Sequence, residues 1–301
     1  MANEAENVRY DMTEEYILNS RGSKLFTCKW LPDCEPKAIV FLCHGYAMGC
    51  SISMRGAACR LVNAGFAVNG IDYEGHGKSS GLQGLITNFD DLVTDCTEHF
   101  TSICERKENA NKLRFLLGES MGGAMVLLLH RKKPTFWDGA VLLAPMCKVA
   151  DDIKPNQMVR SVIAQLARVI PSWRIVPTQD ITDVAIRDVE VRKEIRSNPY
   201  CYTGRLRLQT GCQLMQTTRD IEKILPEISV PFLVVHGEAD KVTDPAVSKL
   251  LYETASSPDK TIKLYPGMWH SLSYGELPEN FDIVFSDIIA WLEKRVIVEQ
   301  N

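Results

Sequence analysis

Nowhere in the sequence does a run approach the about 18 consecutive apolar residues that a membrane-crossing helix requires, so no such span is expected. There is no basic excess either. Thirty-four Lys and Arg against 38 Asp and Glu leave a net charge of -4, which argues against nucleic acid as a partner. Zinc-type cysteine and histidine spacing is missing, as is any CxxC pair, so no metal and no organic cofactor is expected. The opening stretch MANEAENVRYDMTEEY is acidic and lacks an apolar segment. It resembles neither a secretory signal nor a transit peptide, and no Asn-x-Ser/Thr acceptor occurs. The expectation is a cytoplasmic protein whose ten scattered cysteines are reduced and act as small apolar side chains.

What the chain does contain is an alternation of short apolar runs and helical patterns. EEYILNSRGSKLFTCKWLP reads as a hairpin turning at Arg21-Gly22. AIVFLC, FAVNGID, LRFLLG, GAVLLAP, PFLVVHG and TIKLYPG follow, and continuous apolar runs of this kind suit strands covered on both faces. Helical patterns separate them at 53–64, 88–106, 120–132, 246–255 and 281–298. The prediction is an α/β fold: a mostly parallel, eight-stranded sheet with helices on both faces. The alternation stops between Cys147 and Leu225, where amphipathic patterns such as QMVRSVIAQLARVI replace strands. Residues 1–147 and 226–301 are therefore expected to form the core, and 148–225 a helical lid inserted into it.

Two stretches match Gly-x-Ser-x-Gly: GKSSG around Ser79 and GESMGG around Ser120. Ser79 lies in a Gly-rich loop with no strand leading into it. A phosphate loop there is excluded, because its first glycine would fall on Asp72. Ser120 lies between the strand LRFLLG and the helical AMVLLLH, the strand-turn-helix context of a nucleophile elbow. A serine hydroxyl needs a base, and the base needs an orienting acid. Of six histidines, His236 and His270 follow strands at the carboxyl edge, where catalytic groups of parallel sheets collect. The order serine, acid, histidine selects Asp240 and then His270, with Asp244 as the rival acid. In this reading Ser120 attacks, His270 takes its proton and Asp240 orients the imidazole. The amides of Met121 and Tyr46 would form the oxyanion hole. Met146, Ile175 and Trp269 are the candidate substrate-binding residues.

With HGYAMGCSISM, DYEGHGKSSG, GESMGG, HGEADKVTD and YPGMWH in view, the chain resembles the plant monoacylglycerol-lipase-like α/β hydrolases, the group that includes caffeoylshikimate esterase. The resemblance runs from about Tyr16 to Arg295, and it implies an α/β-hydrolase fold with a helical lid. It assigns the same triad, Ser120, Asp240 and His270, and the same oxyanion amides, Tyr46 and Met121. The chain departs from the family pattern at Ala47 and Gly49, where HGYGMEC is common, at Glu74, and at Ser271 and Ser273 after the histidine. The expected activity is a serine carboxylic ester hydrolase acting on monoacylglycerol, lysophospholipid or hydroxycinnamoyl esters. The partner is a small-molecule ester, with weak association to a membrane surface through an apolar lid. Acyl transfer with the same triad is the alternative, and a non-catalytic ligand-binding protein on this fold is the third reading.

Overall fold

A computed structural model describes residues 10–148, 165–174 and 180–299. Its eight strands are β1 (Tyr10–Leu18), β2 (Lys24–Pro32), β3 (Ile39–Cys43), β4 (Ala67–Ile71), β5 (Arg114–Glu119), β6 (Gly139–Leu143), β7 (Phe232–Gly237) and β8 (Lys260–Tyr265). They form one sheet in the order β1-β2-β4-β3-β5-β6-β7-β8. β2 runs antiparallel to both β1 and β4, and all pairs from β4 to β8 are parallel. The predicted sheet, with its antiparallel hairpin at one edge, is the observed one.

Alternate residues of the central strands feed two separate cores, which is why these strands read as unbroken apolar runs. Ile39, Phe41 and Cys43 of β3 join one core, and Val40 and Leu42 the other. Leu116, Leu142 and Val234 share the first side, and Leu117, Val141 and Val235 the second. The first core is closed by α3 (Phe89–Cys104), α4 (Met121–Lys132) and α8 (Pro245–Thr254). The second is closed by α2 (Arg55–Asn63) and α9 (Pro278–Glu299). Seven of the ten cysteines are buried and none is in a disulfide, so they pack as apolar side chains.

The helix expected from Ser53 starts earlier and is broken. α1 (Cys50–Ser53) precedes α2, with Met54 at φ -108 and ψ 5 between them. The earlier start comes from a distant residue: the Asp72 carboxylate accepts from Cys50 N–H at 2.7 Å, satisfying a donor that no local side chain reaches. Met54 ends the first helix by donating to Cys50 O, and α2 then begins one residue later.

Between β6 and β7 the described residues contain helices and no strand: α5 (Ile181–Ala185), α6 (Val189–Ser197) and α7 (Leu208–Ile224), with 165–169 also helical. This insertion is tied to the carboxyl edge of the sheet. Tyr202 N–H donates to Ala47 O at 2.9 Å, and Ser271 N–H donates to Ala185 O at 3.1 Å. On α7, Thr210 Oγ1 donates to Gly84 O and accepts from Ile86 N–H at 2.8 and 2.9 Å.

Two local features set the backbone at that edge. The first is close packing where α4 crosses β3 and β5: a Cβ on Gly122 would lie 1.9 Å from Cys43 O, and one on Gly118 2.2 Å from Gly122 O. Only a hydrogen fits at such a contact. The second is His44, fully buried after β3. Its Nε2 accepts from Tyr73 N–H at 3.1 Å, and its Nδ1 lies 2.8 Å from Gly45 O. These contacts fit a neutral ring carrying its proton on Nδ1. Burial, reinforced by the neighbouring His76, pushes its pKa down to about 3.

Two predictions follow from this packing. Gly122→Ala is expected to destabilise the fold by about 3 kcal/mol or more, because backbone rather than a flexible side chain must move; thermal unfolding measures it, and a loss under 1 kcal/mol, on the scale of ordinary surface changes, would contradict the close crossing. For His44 the sign is set by linkage. The unfolded chain binds a proton near pH 6.5 that the fold excludes down to about pH 3, so this stabilisation is present above 6.5 and is lost as pH falls. His44→Gln retains one donor and one acceptor without titrating. Its stability loss between pH 7 and 5 should be smaller than that of the parent by about 2 kcal/mol, read from denaturant midpoints at each pH.

Candidate active site

β5 ends at Glu119 and α4 begins at Met121, leaving Ser120 as the single residue of the turn. Its φ of 56 and ψ of -116 are unfavourable for a residue with a side chain and persist only when the surroundings over-determine them. They do. Ser120 N–H donates to Leu143 O at 2.9 Å, and Ser120 O accepts from Met146 N–H at 2.9 Å and Gly123 N–H at 3.0 Å. The start of α4 directs unpaired amides and the positive end of the helix dipole to this point. Met121 is its first residue. The turn after β3 lies alongside: a Cβ on Gly45 would be 3.7 Å from Ser120 Cβ. Ala47 in that turn has φ 68, a left-handed conformation that glycine would adopt at less expense.

Asp240 and His270 come from the loops after β7 and β8 and meet directly, with His270 Nδ1 2.7 Å from Asp240 Oδ2. The Asp240 side chain is fully enclosed. Its Oδ1 accepts from Val242 N–H at 2.6 Å and Thr243 N–H at 3.1 Å, and its Oδ2 from Thr243 Oγ1 at 2.9 Å. His236 Nε2 is also 2.9 Å from Oδ2, while its Nδ1 lies 2.7 Å from Ser248 Oγ. Burial alone would raise the Asp240 pKa. Hydrogen bonds from His236 and His270, together with attraction to His270, hold it well below the usual carboxylate range. An ionised Asp240 accepts the Nδ1 proton of His270, so the remaining ring nitrogen, Nε2, carries the lone pair.

Ser120 and His270 line one cavity of about 70 Å³, together with Gly45, Tyr46, Ile181 and Ile186. A second cavity of about 220 Å³ adjoins it and shares Tyr46, Met48, Ile181 and Thr182 as a common wall. Two of the candidate substrate-binding residues do not line either cavity. Met146 supplies a backbone N–H to Ser120 O and packs half-buried against the core. Trp269 donates its N–H to Glu276 Oε1 at 2.5 Å and lies beneath the Arg192 guanidinium at 5.7 Å. Ile175 falls outside the described residues.

The rival residues have other tasks. Asp244 caps α8 through Ala246 N–H at 2.8 Å. Ser79 is buried, donating to Asp72 O at 2.5 Å and accepting from Phe26 N–H at 2.8 Å. His236 stands behind Asp240, a contact that chain order could not reveal. Sequence reasoning also missed Glu119, a buried carboxylate whose partners are Ser271 and Ser273. The signals were present: a lone acid closing an apolar strand, and two serines just after the candidate base. Among the described residues no group of His, Cys, Asp or Glu side chains is arranged to hold a metal, and no helix is long and apolar enough to cross a membrane.

Known proteins resemble the chain over most of its length. The family described as "Serine aminopeptidase, S33" matches residues 34–277. Caffeoylshikimate esterase of Arabidopsis thaliana is 35% identical over 94% of this chain and 88% of its own length. Monoglyceride lipase of Homo sapiens is 32% identical over 93% of this chain and 90% of its own. A soluble variant of monoglyceride lipase from Saccharomyces cerevisiae superposes with a TM-score of 0.83 over 97% of each chain, at 22% identity, and shows the shared fold. An α/β-hydrolase sheet, a serine at its strained strand-to-helix turn and this pattern of relatives lead to one conclusion: the chain belongs to the serine aminopeptidase S33 family and is a serine ester hydrolase.

Proposed function

We propose that the chain hydrolyses monoesters joining one fatty or hydroxycinnamoyl acyl group to a small polyol, with Ser120, His270 and Asp240 as its catalytic triad. The observation that carries the assignment is a shared cavity for Ser120 and His270, with Asp240 2.7 Å from His270 Nδ1. Ser120 Oγ attacks the ester carbonyl carbon and its proton passes to His270 Nε2. The carbonyl electron pair moves to oxygen and faces the amides of Met121 and Tyr46. Collapse of this adduct breaks the bond to the alcohol, which leaves with the proton from His270. Water then repeats the sequence on the acyl-serine and releases the carboxylic acid. Asp240 stabilises each imidazolium and keeps its tautomer correct. An oxyanion donor of this kind typically contributes about a hundredfold to a thousandfold in turnover.

The substrate class rests on two supports. The cavity walls are largely apolar, with Ile181, Ala185, Ile186, Val242 and Tyr274 facing the serine, which suits a single acyl chain or aromatic ring. Caffeoylshikimate esterase and monoglyceride lipase, the relatives by name, each act on an ester of one acyl group. Residues 148–225 are assigned as the lid, because Ile181, Thr182, Ala185 and Ile186 supply one wall of the cavity. Exposed Val169 and Trp173 (79% and 56%) would give this lid weak affinity for a membrane surface. Co-sedimentation with phospholipid vesicles should retain a minor fraction of the protein, and none if that assignment is wrong.

A fluorophosphonate probe should label the wild type and leave Ser120→Ala unlabelled, with turnover of the variant lower by about 10⁴-fold or more. Monoacylglycerol, lysophospholipid and caffeoyl esters compared side by side define the acyl and alcohol preference. If an activated nitrophenyl ester is cleaved and no member of that panel is, the substrate class is wrong while the nucleophile stands.

A further inference from the structure

Glu119 is a buried carboxylate of the Ser120 cavity that the reaction above leaves without a task. It is 5% exposed, immediately precedes Ser120, and lines the same cavity as Ser120 and His270. Withdrawing a carboxylate from water is costly unless donors compensate it. As a device for stability alone it is a poor one, because apolar residues usually do as well at such positions. Its donors come from the segment just after His270. Ser273 N–H reaches Oε1 at 2.8 Å, Ser273 Oγ reaches Oε2 at 2.8 Å, and Ser271 Oγ reaches Oε2 at 3.3 Å. Burial raises the Glu119 carboxyl above its ordinary range, and the charge of His270 and the three serine contacts offset this only in part.

We infer that Glu119 is a positioning residue for the ester hydrolysis: it anchors the main chain after His270 through Ser271 and Ser273, and its negative charge favours the His270 imidazolium. The inference rests on Ser120 and His270 being nucleophile and base. Two carboxylates then serve one imidazole, Asp240 on the Nδ1 side by direct contact and Glu119 from β5 through the cavity and the serines. The other titratable or charged groups around this segment among the described residues include His236 behind Asp240, Glu276 on Trp269 N–H, Arg187 beside Glu276, Arg192 over the Trp269 ring, and Tyr274 in the cavity wall with Glu194 beside it. None of these supplies the serine contacts that Glu119 holds.

The test is the pH profile of kcat/KM for a nitrophenyl ester between about pH 5 and 8, the window in which a histidine titrates. In Glu119→Gln the negative charge is gone, so the acid limb should move to lower pH by about one unit, while the plateau falls by ~10-fold or more. KM should change little, because Glu119 acts on the imidazole rather than on the ester. Ser273→Ala, which keeps the backbone N–H bond to Oε1, should shift the limb in the same direction by less, and it serves should Glu119→Gln not fold. A merely structural Glu119 would lower the plateau or the thermal midpoint with the limb unmoved, and that result in both variants overturns the inference. A wild type that is neither labelled by fluorophosphonate nor active on any ester overturns the underlying triad assignment as well.

Discussion

The crossing of α4 over β3 and β5 is the constraint on which the remaining arrangement depends. Gly118 and Gly122 let helix and strands approach until only hydrogens separate them from the neighbouring carbonyls. That approach brings Ser120 into a conformation its side chain disfavours, and bonds to Leu143, Gly123 and Met146 keep it there. A looser crossing would let the turn relax into ordinary helix, with the hydroxyl capping α4 rather than facing the cavity. The strain at one residue is thus maintained by two β-strands and a helix that are themselves packed into the two cores.

Register then brings the other groups to the same edge. Cys43 pairs with Gly118, Glu119 with Leu143, and Gly237 with Tyr265, so the strands end level and their following loops converge. The turn after β3, the elbow after β5 and the loops after β7 and β8 therefore share one small volume. Ile181, Thr182, Ala185 and Ile186 of the insertion between β6 and β7 line one side of it, and the insertion is tied to Ala47 on one side and Ser271 on the other. Movement of the insertion would act on both the turn after β3 and the segment carrying His270.

The electrostatics of that volume are asymmetric. Asp240 has more donors than its burial would require, and its charge is secure. Glu119 has fewer, and its burial is only partly offset. His44 and His76 are buried and neutral, their pKa values pushed down to about 3 and about 4. Among the described residues, His270 combines direct contact with the ionised Asp240 and a place in the cavity wall. Away from bulk water such interactions weigh more than they would at the surface.

The sequence by itself determined the sheet, the elbow and the chain order of the candidate triad, because those depend on local signals: continuous apolar runs, glycines flanking one serine, and loops at strand ends. It also separated Ser120 from Ser79, since strand-turn-helix context is written within a dozen or so residues. Only the tertiary structure decided the partners that no local pattern encodes. Asp72 caps a helix that begins 22 residues before it, His236 and His270 share one carboxylate, and Glu119 binds serines more than 150 residues away. Such contacts pair side chains through space at distances set by strand register and helix packing. A linear reading shows each residue's chemistry, but it does not show which residue the fold will bring to face it.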